Sequence, residues 1–240
     1  MKLRVGCCGF ALAQSKYFET FDLVEVQQTF YQPPRAATAA RWRAAAPPGF
    51  VFLVKAWQLI THEPSSPTYR RLTRPIPPAA EGRYGSFRWT DEVRAAWAET
   101  RAICEALSAP AVLFQTPASF TPSSTHRANL VRFFREIPRD GRVFVWEPRG
   151  VWEASEVKAL CGELDLVHAV DPLQQLTTSR GCAYYRLHGL DTVRGSFSEV
   201  QLGKALAACD GFDEAYVLFN NVQAAADAQR FLALVGDESA

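Results

Sequence analysis

Six short runs in this sequence turn polar at their ends, and five of them carry a group there that can hold a proton or charge. Taken at alternate positions, one face holds Leu23, Glu25 and Gln27, the next Val51, Leu53 and Lys55, and the next Ala111, Leu113 and Gln115. The same reading gives Val143, Val145, Glu147 and Arg149, then Val167, Ala169 and Asp171, then Tyr184, Arg186 and His188. Each set turns polar toward its C-terminal end, while opposite faces such as Phe144 with Trp146 stay apolar. Carboxylates and an imidazole make an acid–base set, with Glu25 or Glu147 as acid or base and His188 carrying the proton. Arg149 and Arg186 suit a bidentate clamp on an anion, and Lys55 suits stabilisation of developing negative charge. The two carboxylates Glu25 and Glu147 also fit a glycosidase plan.

Two further chemistries stand beside this one. A divalent metal held by a subset of Glu25, His62, Glu147, Asp171 and His188 is opposed by the charges of Lys55, Arg149 and Arg186 and by the lack of HxxE or HxH spacing. A non-catalytic module for a nucleotide, nucleic acid or other phosphorylated ligand would stack it on Tyr31 or Trp57 and read its edges with Asn220 and Asn221. Those asparagines serve equally well as helix caps. The reading without chemistry is a static network in which Glu25, Glu147 and Asp171 neutralise Lys55, Arg149 and Arg186. His126 and His168 fall on a helix start and an outward strand face and are expected to be structural.

The elements that must position these groups alternate. Strand-like runs cover Leu3 to Cys8, Leu23 to Gln28, Phe50 to Ala56, Ala111 to Gln115, Arg142 to Glu147, Leu166 to Val170, Ala183 to His188 and Ala215 to Asn220. Helical spacing fills Ala36 to Ala46, Asp91 to Leu107, Ser123 to Glu136, Val151 to Leu164, Ser198 to Cys209 and Gln223 to Val235. Alternation of this kind predicts parallel strands with right-handed crossovers, and eight units in 240 residues predict one (β/α)₈ barrel domain over residues 1–240. An open doubly wound sheet is the competitor, but no GxGxxG or GxxxxGK[ST] loop follows any strand. The connections after the first and sixth strands look too short for full helices, so the barrel is expected to be irregular there. Thr61 to Thr90, rich in proline and glycine, is expected as a long loop on the C-terminal side of strand three. It interleaves Arg70, Arg71, Arg74, Arg83 and Arg88 with Tyr69, Tyr84, Phe87 and Trp89, a composition suited to phosphates and flat rings, or to a solvated lid.

Composition narrows the partners. With 26 basic and 25 acidic residues the net field is weak, which argues against broad nucleic-acid or membrane-surface binding and leaves a small anionic or polar ligand as the expected partner. The apolar start through Ala13 reads as the first strand rather than a signal peptide, and no run is long enough to span a membrane. Six cysteines without a CxxC or CxxH pair read as reduced thiols, so a cytoplasmic protein is expected.

Several blocks also resemble a known family, the YecE-like proteins called domain of unknown function 72. Glu25 through Thr29-Phe30-Tyr31 with Pro33-Pro34 resembles its second-strand signature. Pro48-Gly49-Phe50 through Lys55 with Thr61-His62, Leu113-Phe114-Gln115 with Pro117, and Trp146-Glu147-Pro148-Arg149 with Trp152 are similar to its next three strands. Tyr185-Arg186-Leu187-His188-Gly189 and Phe219-Asn220-Asn221 complete the order. The resemblance implies a (β/α)₈ barrel and supplies no activity; likeness to metal-dependent endonuclease and sugar isomerase barrels is a matter of fold. This sequence departs from the pattern after Gly9 and at Gly150, where a histidine is common. The combined expectation is a hydrolase- or isomerase-like enzyme for a small polar or phosphorylated substrate at the C-terminal mouth, with the binding module as alternative. The expected site is Glu25, Lys55, Glu147 and His188 for catalysis, and Tyr31, His62, Gln115, Arg149, Asp171, Arg186, Asn220 and Asn221 for binding.

Overall fold

The structure, a computed structural model, describes residues 1–73, 75–189 and 195–238. The chain runs β1 (Lys2–Cys8), α1 (Gln14–Thr20), β2 (Leu23–Val26), α2 (Gln28–Tyr31), α3 (Ala36–Ala45), β3 (Val51–Lys55), α4 (Gln58–Thr61) and α5 (Asp91–Leu107). It continues with β4 (Ala111–Gln115), α6 (Ser124–Glu136), β5 (Val143–Glu147), α7 (Ala154–Leu164), β6 (Leu166–Val170), β7 (Cys182–Leu187), α8 (Glu199–Ala207), β8 (Glu214–Phe219) and α9 (Ala224–Glu238). The strands close into a barrel in the order β1 to β8, with β8 parallel to β1.

The helices form for local reasons. In α5, Thr90 accepts a hydrogen bond from the Val93 N–H at the start, and Val93, Ala96, Trp97, Thr100, Ile103, Cys104 and Leu107 make one buried face. It stops where Ser108 turns left-handed at φ 52°. A double cap between Glu153 and Glu156 fixes the start of α7, three residues later than the apolar pattern predicts. Of the two short connections, the one after β1 carries the two-turn helix α1, whose Tyr17 hydroxyl accepts from Cys7 N–H and donates to Leu23 O. The connection after β6 has turns only.

By contacts the chain divides into two compact units: Met1–Glu25, Ala46–Val51 and Val167–Ala240 in the first, and Val26–Ala45 with Phe52–Leu166 in the second. The first contains β7 paired with both β6 and β8. The second is built on β3, β4 and β5 around the rings of Phe87, Trp97, Phe114, Phe133, Phe134 and Phe144.

The segment Thr61 to Thr90 is less irregular than its composition predicts. Two short 3₁₀ turns, Pro67–Arg71 and Pro78–Arg83, occupy it, and its end is bonded to α4 through Gly85 N–H to Leu59 O and Phe87 N–H to Ile60 O. Gly85 at φ 74° is required there, because a Cβ would sit 2.1 Å from His62 O. Phe87 thereby enters the core. Arg74 lies outside the described residues.

Candidate functional site

In the first unit, Glu25 and Arg186 form a bidentate pair with side chains 0% and 1% exposed. Arg186 Nη2 donates to Glu25 Oε1 at 2.9 Å and Nε to Oε2 at 3.1 Å, while the Tyr184 hydroxyl donates to Oε2 at 2.6 Å. Alternation along β7 puts Tyr184 and Arg186 on the same face, and Glu25 is aligned with Cys8 where β2 pairs with β1. Burial, then the charge and hydrogen bond of Glu25, push the Tyr184 phenol well above its ordinary range, so it stays a donor. Three donors on one sealed carboxylate leave Glu25 poorly placed to take a substrate proton. These contacts suit Glu25 to positioning Arg186 more than to the acid or base role expected of it.

His188 follows β7 and is the open member of the group, its side chain 20% exposed. Its Nε2 lies 3.4 Å from Arg186 Nη1 and its Nδ1 lies 3.8 Å from Asp171 Oδ2. An arginine only donates, so that contact makes Nε2 the acceptor and leaves the proton on Nδ1, facing Asp171. Asp171 is fixed by the backbone N–H groups of His188 and Leu173, each at 3.0 Å. Burial raises the Asp171 pKa, but hydrogen bonds from His188 and from the backbone outweigh it and leave the carboxyl below its usual value.

The second unit gathers Lys55, Gln115, Glu147 and Arg149 at or just beyond the ends of neighbouring strands. Lys55 Nζ donates to Gln115 Oε1 at 2.7 Å and lies 4.1 Å from the centre of the Phe30 ring. Gln115 is in register with Glu147, which pairs with Arg149 at 2.6 Å. His62 is buried edge-on to Phe30, with Nδ1 2.8 Å from Thr61 Oγ1. Burial and then the Lys55 charge push its pKa down to about 3, so the ring is neutral.

Strand two ends two residues earlier than predicted. Thr29 Oγ1 is within 2.7 Å of both Val26 O and Lys55 O, and this bond turns the chain into α2, leaving Gln27 half-buried at its start rather than on a strand face. Tyr31 on α2 has the Arg71 guanidinium 3.6 Å from its ring centre and the Phe30 edge at 5.0 Å, so it is not the bare stacking platform expected. Asn221 donates to Gly195 O and to the buried Asp227, which ties the chain before α8 to α9. Asn220 is half-buried and its backbone N–H donates to Leu187 O.

His126 stacks on Phe120 and His168 anchors Thr177 and Thr178, both structural roles. Gly150 explains its departure from the family pattern: a Cβ there would lie 2.3 Å from Phe120 O, so a histidine requires that backbone to move. Among the described residues no group of three or more His, Cys, Asp or Glu side chains is placed to hold a metal ion. Glu25, one of the residues considered for a metal, is paired with Arg186. The alternation pattern left out Tyr184 as a site residue, although it lies on the inward face; the signal was its parity with Arg186. Nothing in the sequence marked Phe30 as the partner of Lys55 beyond its place in Thr29-Phe30-Tyr31.

The family model described as protein of unknown function DUF72 matches residues 12–240. The chain belongs to that family. A DUF72 protein from Enterococcus faecalis superposes with a TM-score of 0.73 at 19% identity, covering 98% of this chain and 98% of that one. A second, from Thermotoga maritima, gives 0.71 at 20% identity over 98% and 100% of the two chains. Endonuclease IV from Thermus thermophilus gives 0.56 at 10% identity over 98% and 99%. Identities this low carry the barrel fold alone. No curated protein matches. No helix among the described residues is long and apolar enough to cross a membrane.

Proposed function

We propose that this DUF72 protein is a hydrolase- or isomerase-like enzyme that moves a proton on a small polar or phosphorylated substrate through His188. One observation carries the reading: a partly open imidazole stands between a fixed carboxylate, Asp171, and an arginine locked in place by a sealed ion pair. Such a carboxylate holds the imidazole tautomer and stabilises the imidazolium when Nε2, released from its 3.4 Å contact with Arg186 Nη1, takes a proton. Arg186, its charge matched by Glu25, orients the ring through Nη1. Glu25 acts through Arg186. Within the second unit, Lys55 is read as a charge stabiliser and Glu147 as an acid or base. The likeness to endonuclease IV adds fold and no residue. None of the six cysteines is in a disulfide, which fits a cytoplasmic setting.

The test is a turnover screen over phosphorylated sugars, phosphodiesters and aldoses with the full chain, repeated with His188→Gln and Asp171→Asn. Loss of a positioned acid–base group lowers kcat by about 10²–10⁴-fold. A substrate turned over equally well by wild type and His188→Gln, with both chains folded, removes His188 from the mechanism.

A further inference from the structure

A recess of 440 Å³ in the second unit is lined by Gln27, Gln28, Tyr31, Gln32 and Arg71. We propose that it binds the phosphate group of a small phosphomonoester, with Arg71 as the cationic ligand. The proposal does not rest on proton transfer at His188 and goes beyond it by naming a separate binding site.

Among the described residues the lining holds no carboxylate and one formal charge, which is positive. Arg71 differs in this from the arginines further along the same segment: Arg83 is 2.6 Å from Glu92 and Arg88 is 2.6 Å from Glu63. Those two guanidiniums are neutralised within the protein. Arg71 instead lies flat on Tyr31, at 3.6 Å. Stacking occupies the face of the guanidinium and leaves its N–H edge in the plane, the geometry that meets two phosphate oxygens at once. Glutamine amides beside it add neutral donors, which suit an anion without competing for the cation.

Both walls are held before any ligand arrives. On the Tyr31 side, the fully buried Gln58 donates from Nε2 to Tyr31 O at 2.9 Å. On the Arg71 side, the 3₁₀ turn starts on Ser66, whose hydroxyl accepts from Thr68 N–H, and the Tyr69 hydroxyl donates to His62 O at 2.7 Å. Gln32 Oε1 accepts from Thr73 N–H at 3.1 Å, which joins the two sides. A clamp fixed in this way loses little freedom on binding. The volume lies in the range of small-ligand sites. A polymer is disfavoured, because tracking a phosphate backbone needs several cations and the described lining supplies one.

The experiment is calorimetric titration of the full chain with a hexose phosphate at low salt, for wild type, Arg71→Ala, Arg71→Lys and Tyr31→Leu. Wild type is expected to bind saturably, with inorganic phosphate displacing the sugar. Arg71→Ala is expected to weaken binding about tenfold or more, the usual loss for a charge-assisted pair. Arg71→Lys keeps the charge but loses the fork and falls between. Tyr31→Leu removes the stack and weakens binding with the charge intact. Unaltered melting of each variant establishes that the fold is kept. Absence of saturable binding to wild type, equal affinity in Arg71→Ala, failure of phosphate to compete, or binding of a single-stranded oligonucleotide alone each overturns the proposal. Because the readout is binding, loss of turnover in His188→Gln has no bearing on it.

Discussion

Arg186 and Arg71 carry the same guanidinium and are held in opposite ways. Arg186 is sealed against Glu25, with two nitrogens of its fork on the two carboxylate oxygens and the Tyr184 hydroxyl also on Oε2. Arg71 is exposed, rests on the Tyr31 ring and faces a recess whose described lining has no acid. In water the cation is cheap to keep and can wait for a ligand; out of water it must be matched inside the protein. The comparison teaches where each arginine can act: a matched, buried one organises its neighbours, and an unmatched, exposed one recruits a partner.

The strongest way to break the comparison is to remove one half of the sealed pair. Glu25→Ala or Arg186→Ala leaves an uncompensated buried charge and is expected to cost about 3–5 kcal/mol, read from denaturant midpoints. Replacing both by leucine removes the charges together and is expected to cost much less than the sum of the single changes. If either single variant unfolds at the wild-type midpoint, the pair is not the anchor described here.

His62 sharpens the comparison from the second unit, since it is kept neutral beside a cation rather than paired. Its folded pKa is about 3 against an ordinary 6.5. Between those values the unfolded chain takes up a proton that the folded chain refuses, so stability is full above 6.5 and declines as pH falls toward 3. The slope contributed is at most about 1.4 kcal/mol per pH unit. Asp171, with its carboxyl held below the usual value, adds a further loss in the same direction at still lower pH. His62→Asn should flatten the upper part of that decline; parallel midpoint-against-pH curves for variant and wild type would remove His62 as its source.

These contrasts also mark what was legible in the sequence. Period-two alternation identified the strands and the inward parity of Glu25, Lys55, Gln115, Glu147 and Arg186, because the rule is local to each strand. It also pairs Tyr184 with Arg186. Partner choice was not legible, since Glu25 meets residues 159 and 161 positions away and nothing local to Glu25 selects them. The end of strand two was misjudged for a similar reason: Thr29 turns the chain by reaching Lys55 O, 26 residues on. In the Thr61 to Thr90 segment, composition announced loop chemistry correctly, but not which arginines Glu63 and Glu92 would consume.

A smaller effect belongs to Tyr184→Phe, which deletes one hydroxyl donor to Glu25 and keeps the ring in the core. The net loss of such a bond is about 1–2 kcal/mol, larger than for a neutral pair because the acceptor is charged. Arg186 still holds both carboxylate oxygens, so the variant should fold with its ion pair intact. A loss as large as that of Arg186→Ala would mean that the phenol, not the guanidinium, anchors Glu25.

The smallest change is expected at Arg71. Truncating an exposed side chain whose contact is one ring face should move stability by no more than about 0.5 kcal/mol. The stacking it gives up is partly offset by the side-chain freedom it regains. Arg71→Ala and Arg186→Ala therefore remove the same group with opposite signatures, one in ligand affinity and the other in the unfolding midpoint. Should Arg71→Ala lower the midpoint by as much as Tyr184→Phe, then Arg71 is a structural brace for the 3₁₀ turn. The division between an arginine that organises and one that recruits would then fail at the residue chosen to illustrate it.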